Sequence, residues 1–159
     1  MVADLCIVAI FLLFVFIVIF SLSAQNGQES SKLSDGFIDR MLSILLKDLS
    51  IENKAIIIEK ISFGIRKLAH FTLYFIVGSD AIMLLKTYKL KNKEQVSIAL
   101  MIGVVFAVFD EIHQMFVGGR SGEIRDVCID SCGAAFGMCI VWICWKVGCL
   151  IKKKISLFY

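Results

Sequence analysis

At 159 residues the chain has room for one domain and little more. Its residues are 58% hydrophobic, with a mean hydropathy of +0.84, against roughly 45–50% apolar in soluble domains. The net charge is only +3 and comes with no basic stripe and no aromatic stacking module, which argues against nucleic acid as a partner. Proline is absent and the apolar runs are long, so the expectation is an all-α, polytopic membrane protein of about four spanning helices.

A spanning helix needs roughly 20 apolar residues. The first such run is 5–22, almost pure Ile, Val, Leu and Phe. Ser21-Leu22-Ser23-Ala24 would suit signal cleavage, but Asp4 is the sole charge before the run and the positive leader of a signal peptide is missing. A retained anchor is therefore expected. Residues 23–64 form a polar segment of mixed charge. Within it Ser34 suits an N-cap, and Phe37, Met41, Ile44, Leu45 and Leu49 recur at helical spacing over 35–49. That pattern predicts an amphipathic helix lying on the membrane interface or capping the bundle. The stretch 55–63 is expected to run into the second span, 65–85. The third span is 96–117 and the fourth 127–151. Between them Gly118, Gly119 and Gly122 mark a tight, irregular turn. The whole of 1–159 is expected to be one membrane domain.

Six cysteines do not make a disulfide scaffold here. Cys6, Cys139, Cys144 and Cys149 lie in or at the ends of apolar runs, and Cys128 and Cys132 sit at the start of one. They read as small apolar residues.

Orientation follows from Lys and Arg in the short connections. Lys86, Lys89, Lys91 and Lys93 join spans two and three, and Lys152, Lys153 and Lys154 follow span four. Both segments, and with them both termini, are expected in the cytoplasm. The 23–64 segment and the glycine turn then lie outside.

This topology gathers ionisable groups at the outer end of the bundle. His70 is near that end of span two, Asp110, Glu111 and Gln114 near that end of span three, and Asp126 and Asp130 open span four. Arg66, Lys67, Arg120 and Arg125 lie at or just above the same level. At about 100° per residue, Lys67, His70, Tyr74, Val77 and Ala81 share one face. Gly103, Ala107, Asp110 and Gln114 share another, with Glu111 on its flank. Asp126, Asp130, Gly133, Gly137 and Cys144 share a third, and Cys128, Cys132, Ala135 and Cys139 fall opposite it. Small residues let helices approach closely in lipid, so the Gly133/Gly137 stripe marks the packed side. Gly78 and Ala81 read as packing residues. His113 lies on another flank, with a structural role expected, and Asp80, in the inner half, is expected to pair with Lys146.

Charge at membrane depth is costly and is normally paired or lines a pathway. A staple of Arg120 and Arg125 with Asp110, Glu111, Asp126 and Asp130 is the plainer reading. A ligand site is favoured because a histidine, four acids, an amide, a phenol and several cations converge where one or two pairs would suffice.

Three stretches carry a family resemblance. They are Phe20-Ser21-x-Ser23-x-Gln25; Arg66-Lys67-x-Ala69-His70-Phe71-x-x-Tyr74; and Asp110-Glu111-Ile112-His113-Gln114-x-Phe116-Val117-x-Gly119-Arg120-x-Gly122, continuing into Asp126-Val127-x-x-Asp130-x-x-Gly133. On these the chain resembles the VanZ-like family of membrane proteins, over nearly its full length and in the same order. It departs at Gly118, where the family commonly has proline. That change is expected to loosen the turn and leave the site intact. Asp80 lies outside the pattern. The family is named for a protein associated with low-level resistance to the glycopeptide teicoplanin. The resemblance implies an envelope-related role in a bacterial cell membrane and supplies no established reaction.

Three functions fit the residues. In the first, Arg66, Lys67, Arg120 and Arg125 bind an anionic lipid headgroup, a lipid-linked wall intermediate or a glycopeptide, because guanidinium groups fork onto phosphate or carboxylate. Asp110, Asp126 and Asp130 orient those cations, and Tyr74 and Gln114 line the pocket. In the second, the protein is a hydrolase or transferase for lipid-linked envelope material, with Glu111, Asp110 and His70 as acid/base groups. No Ser or Cys nucleophile stands in the cluster. No cofactor is expected, since there is no His-Glu-x-x-His motif, although a divalent cation on His70, Glu111, Asp126 and Asp130 is chemically open. The third is a small proton-coupled transporter, against which the apolar inner half of the bundle counts.

Overall fold

The structure is a computed structural model in which residues 2–24, 35, 36, 38–40 and 51–155 are described. Among the described residues four long helices follow one another: α1 (Val2–Ser23), α2 (Ile51–Lys86), α3 (Asn92–Gln114) and α4 (Ile124–Ile155). Each is long and apolar enough to cross a membrane. The all-α, multi-pass architecture is as expected.

The helix ends differ from the sequence reading. α2 takes in the whole 55–63 stretch and has 36 residues, about 54 Å at 1.5 Å per residue. It therefore outruns a hydrocarbon layer of about 30 Å. α3 stops at Gln114, three residues early. The N–H of Phe116 donates to His113 O and that of Val117 to Gln114 O, both at 3.0 Å, which winds the chain out of the helix. Of the amphipathic stretch 35–49, only 35, 36 and 38–40 are described. They are helical, Ile38 is buried, and Ser62 Oγ donates to Asp35 Oδ1 at 2.5 Å. Its remaining residues, and so its role as a cap, lie outside the described residues.

The tightest packing is between α2 and α4, and it is made by glycine. A Cβ added to Gly78 would stand 2.0 Å from Ala134 O, and one at Gly137 would stand 2.0 Å from Phe75 O. At Gly133 it would meet Phe71 O at 2.5 Å. These backbones touch because no side chain intervenes, as expected of small residues in lipid. α3 joins at Gly103, whose added Cβ would lie 2.7 Å from the Ala134 methyl.

Leu12, Val15, Phe16 and Ile19 pack α1 against Tyr74, Val77 and Ala107, and the Phe16 ring stacks on Phe106 with centroids 3.4 Å apart. α1 is thus an integral member of the bundle. A second cluster, Ala81, Ile82, Leu85, Ala99 and Met138, fills the opposite half.

Two expectations fail here. Cys144 is exposed rather than packed with Gly133 and Gly137, because among the described residues α4 buries none beyond Met138. Asp80 does not pair with Lys146. The ammonium of Lys146 lies 4.1 Å from the centroid of Trp142, and that of Lys86 lies 3.8 Å from Trp145. Buried Asp80 Oδ2 has no hydrogen-bond partner. All six cysteines are free and exposed, consistent with their reading as apolar surface.

Candidate functional site

Helical phase brings polar groups from all four helices to the end of the bundle that holds the α3–α4 turn. The faces predicted for α2 and α3 are the buried ones. Tyr74, Val77 and Ala81 are fully buried, as are Ala107 and Asp110, with Glu111 and Gln114 nearly so. On α4, Asp130 is 1% exposed.

At the centre His70 Nδ1 lies 3.9 Å from Asp110 Oδ2 and 3.6 Å from Asp130 Oδ2. Asp110 Oδ2 accepts from Ser23 Oγ at 2.9 Å and from Gln114 Nε2 at 3.0 Å. Arg120 extends this chain: Nη1 donates to Gln114 Oε1 at 3.2 Å and Nη2 to Leu22 O at 3.5 Å. A buried carboxylate without donors is strongly disfavoured, and these bonds supply them on one side of Asp110. On the other side Oδ1 has no partner. The same holds for Asp130 Oδ1, Asp126 Oδ1 and the Tyr74 hydroxyl.

Around this core the charges pair locally. Lys67 binds Asp126 and stands 5.0 Å from the Phe63 ring centroid. Arg125 binds Glu123 at 2.8 Å and covers the other approach to Phe63, 5.2 Å from its centroid. The staple reading, with Arg125 on Asp110, Glu111, Asp126 or Asp130, is not met at Arg125, whose partner Glu123 is two residues away at the open surface. Arg66 is half-buried and close enough to Arg120 for their charges to repel. Burial pulls the Arg120 guanidinium below its ordinary pKa, with Asp110 and Glu111 opposing. It remains a cation, since arginine does not deprotonate in proteins.

Glu111 is nearly buried, close enough to Asp110, Asp126 and Asp130 for their charges to act on it. Its Oε1 accepts the backbone N–H of Glu123 at 2.6 Å, which ties α3 to the start of α4. His113 turns away, its ring 5.1 Å from that of Phe20. It borders an open groove of about 370 Å³ lined by Phe16, Ile17, Phe20, Ser21, Ala24 and His113. The α3–α4 turn is closed by Arg120 N–H on Val117 O at 3.2 Å. Gly119 there has φ 77°, a conformation that favours glycine.

Ser23 was not singled out as a site residue by sequence reasoning. Its signal was present, as the polar position ending an otherwise apolar run and part of the first motif. The cation ligand set also shifts. The ligand atoms that converge, all within 4.8 Å, belong to His70, Asp110 and Asp130. Glu111 and Asp126 are drawn off by the Glu123 N–H and by Lys67.

The profile of the VanZ/LLP1 family matches residues 8–145. The chain belongs to the VanZ/LLP1 family. Comparison with curated proteins and with solved structures gave no match. The stretch matched by the VanZ/LLP1 profile takes in every residue of the cluster, from Ser23 at the end of α1 to Asp130 in α4. It ends at Trp145, before the basic end of α4.

Proposed function

We propose that this VanZ/LLP1 membrane protein binds the anionic headgroup of a membrane-borne envelope component at the α3–α4 end of its bundle. The observation that supports this most is the mounting of Arg120. It stands at the mouth of the cluster, held to Gln114 and, through it, to fully buried Asp110. A guanidinium fixed from beneath is pre-organised for a forked contact with phosphate or carboxylate. Arg66 stands close enough to Arg120 for their charges to interact, and Lys67 is held by Asp126, whose charge also reaches Arg120. The groove between α1 and His113 opens at the same level and is largely apolar, which suits an acyl chain entering from the bilayer.

The distribution of Lys in the α2–α3 connection and after α4 supports an outward-facing site with both termini in the cytoplasm. In that orientation the headgroup belongs to the outer leaflet of a bacterial cell membrane. The candidates are an anionic phospholipid or a lipid-linked wall intermediate, and lowered susceptibility to glycopeptides such as teicoplanin would follow from holding either one.

The test is binding of short-chain lipids to the purified protein in detergent. An anionic phosphatidylglycerol should bind more tightly than zwitterionic phosphatidylcholine of the same chain length. Arg120→Ala should lower that affinity about tenfold, the loss of one charge-assisted contact of about 1.5 kcal/mol. Equal binding of the two lipids, or an unchanged affinity in Arg120→Ala, would show the reading to be wrong. In cells at matched expression, teicoplanin susceptibility should follow the same variant.

A second reading is favoured by His70, set between two buried carboxylates. That arrangement suits a hydrolase or transferase of lipid-linked material, with His70 and Asp110 moving protons. A change in lipid-linked species on expression, abolished by His70→Gln, would select it.

A further inference from the structure

We infer that His70, Asp110 and Asp130 hold a divalent first-row transition-metal cation of the Mn²⁺ or Zn²⁺ kind. Three helices contribute one ligand each, and the ligand atoms all lie within 4.8 Å of one another. The gaps of 3.9 Å and 3.6 Å from His70 Nδ1 to the two carboxylates are too long for hydrogen bonds. Two ligands about 2.1 Å from a common tetrahedral ion stand about 3.4 Å apart. The two histidine–carboxylate gaps are therefore within about half an ångström of a coordination shell, and all three ligand atoms lie within 4.8 Å of one another.

A second observation is independent of the spacing. Asp110 and Asp130 are 0% and 1% exposed, yet Oδ1 of each has no hydrogen-bond partner. Tyr74, one turn from His70 on the same face of α2, is fully buried and has an unpartnered hydroxyl. Two carboxylates in a membrane bundle are costly without a counter-charge, and a divalent ion neutralises both at once. Ser23 and Gln114 hold Asp110 through Oδ2, as outer groups commonly hold a metal ligand, and leave the lone pairs of its unpartnered Oδ1 free for the ion. The histidine nitrogen selects transition metals over Mg²⁺ and Ca²⁺, which prefer oxygen. With three protein ligands the ion keeps an open position. There it would meet an anionic headgroup, and for that part of its role the inference rests on the binding proposal.

The experiment uses the full chain in detergent, purified without a histidine tag, stripped with chelator and titrated with Mn²⁺ in the absence of added lipid. Electron paramagnetic resonance should show one equivalent bound, with coupling to a single nitrogen. The chain has two histidines, so the source of that coupling is decidable. It should survive in His113→Gln and vanish in His70→Gln. Asp130→Asn should weaken binding at least tenfold, whereas Asp80→Asn, in the other half of the bundle, should leave it unchanged. Absence of binding at millimolar Mn²⁺ overturns the inference. So does coupling that persists in His70→Gln or is lost in His113→Gln. If a core variant fails to fold, the nitrogen coupling of the wild type and of His113→Gln still decides. Because no lipid is added, failure here leaves the headgroup reading standing, and failure of that reading leaves the ion in place.

Discussion

Ser23 Oγ donates to Asp110 Oδ2 at 2.9 Å, joining positions 87 residues apart in the sequence. Both residues are fully buried, so the bond fixes the end of α1 to the polar centre. Ser23→Ala should destabilise the detergent-solubilised protein by roughly 0.5–1.5 kcal/mol, the range found for single hydrogen bonds between membrane helices. Thermal unfolding would measure it. A change near zero would mean that Gln114 alone satisfies this side of Asp110.

The glycine seam predicts a sharp contrast between two chemically similar substitutions. Gly137→Ala places a methyl 2.0 Å from Phe75 O, whereas Gly148 has nothing within 4 Å of an added Cβ. The first should cost about 1–3 kcal/mol or prevent folding, as overpacking does. The second should be neutral or stabilising by up to about 1 kcal/mol, the helix preference of alanine over glycine. Unfolding midpoints of the two variants, measured side by side, test the seam directly.

Glu111 is expected to act through its bond to the α3–α4 turn. Glu111→Gln keeps an oxygen that accepts the Glu123 N–H, so stability and lipid binding should both change little. Glu111→Ala removes the acceptor and should cost about 1–2 kcal/mol by leaving that N–H unmet. A full loss of function in a stably folded Glu111→Gln would move the residue into acid/base chemistry.

Lys67 and Asp126 should behave as a coupled pair. Both side chains are about four-fifths buried, at 21% and 18% exposure. A double-mutant cycle with Lys67→Met and Asp126→Asn should give a coupling of roughly 0.5–3 kcal/mol. Additive losses would show the contact to be incidental.

The proposed orientation can be read with thiols. All six native cysteines are exposed on the bundle, so a cysteine-free background should fold. On intact cells, an impermeant maleimide should label Ser121→Cys and spare Lys89→Cys. The reverse pattern would invert the membrane topology.

The parts of this architecture that follow from periodicity were legible in the sequence. Four apolar runs and the 3.6-residue repeat placed Tyr74, Asp110 and Asp130 on inward faces, and all three are buried. The stripe of Gly133 and Gly137 identified the close helix pair. What periodicity cannot give is pairing at helix ends, where the turn sets the geometry. Arg125 found its neighbour Glu123 instead of a deeper aspartate, and Glu111 found a backbone N–H. Lys146 reached the face of Trp142, a contact that costs its ammonium less hydration than burial beside Asp80 would. Ser23 needed a partner 87 residues away before its role could be seen.

The three glycines between α2 and α4 also bear on chemistry at a distance. Gly133 touches Phe71 O, directly after His70, and lies three residues beyond Asp130. The width of the gap between His70 and Asp130 is therefore set by bare backbone contact rather than by deformable side chains. The seam works as a gauge block: a methyl group added at Gly133 should be read out at the polar centre as a change in spacing.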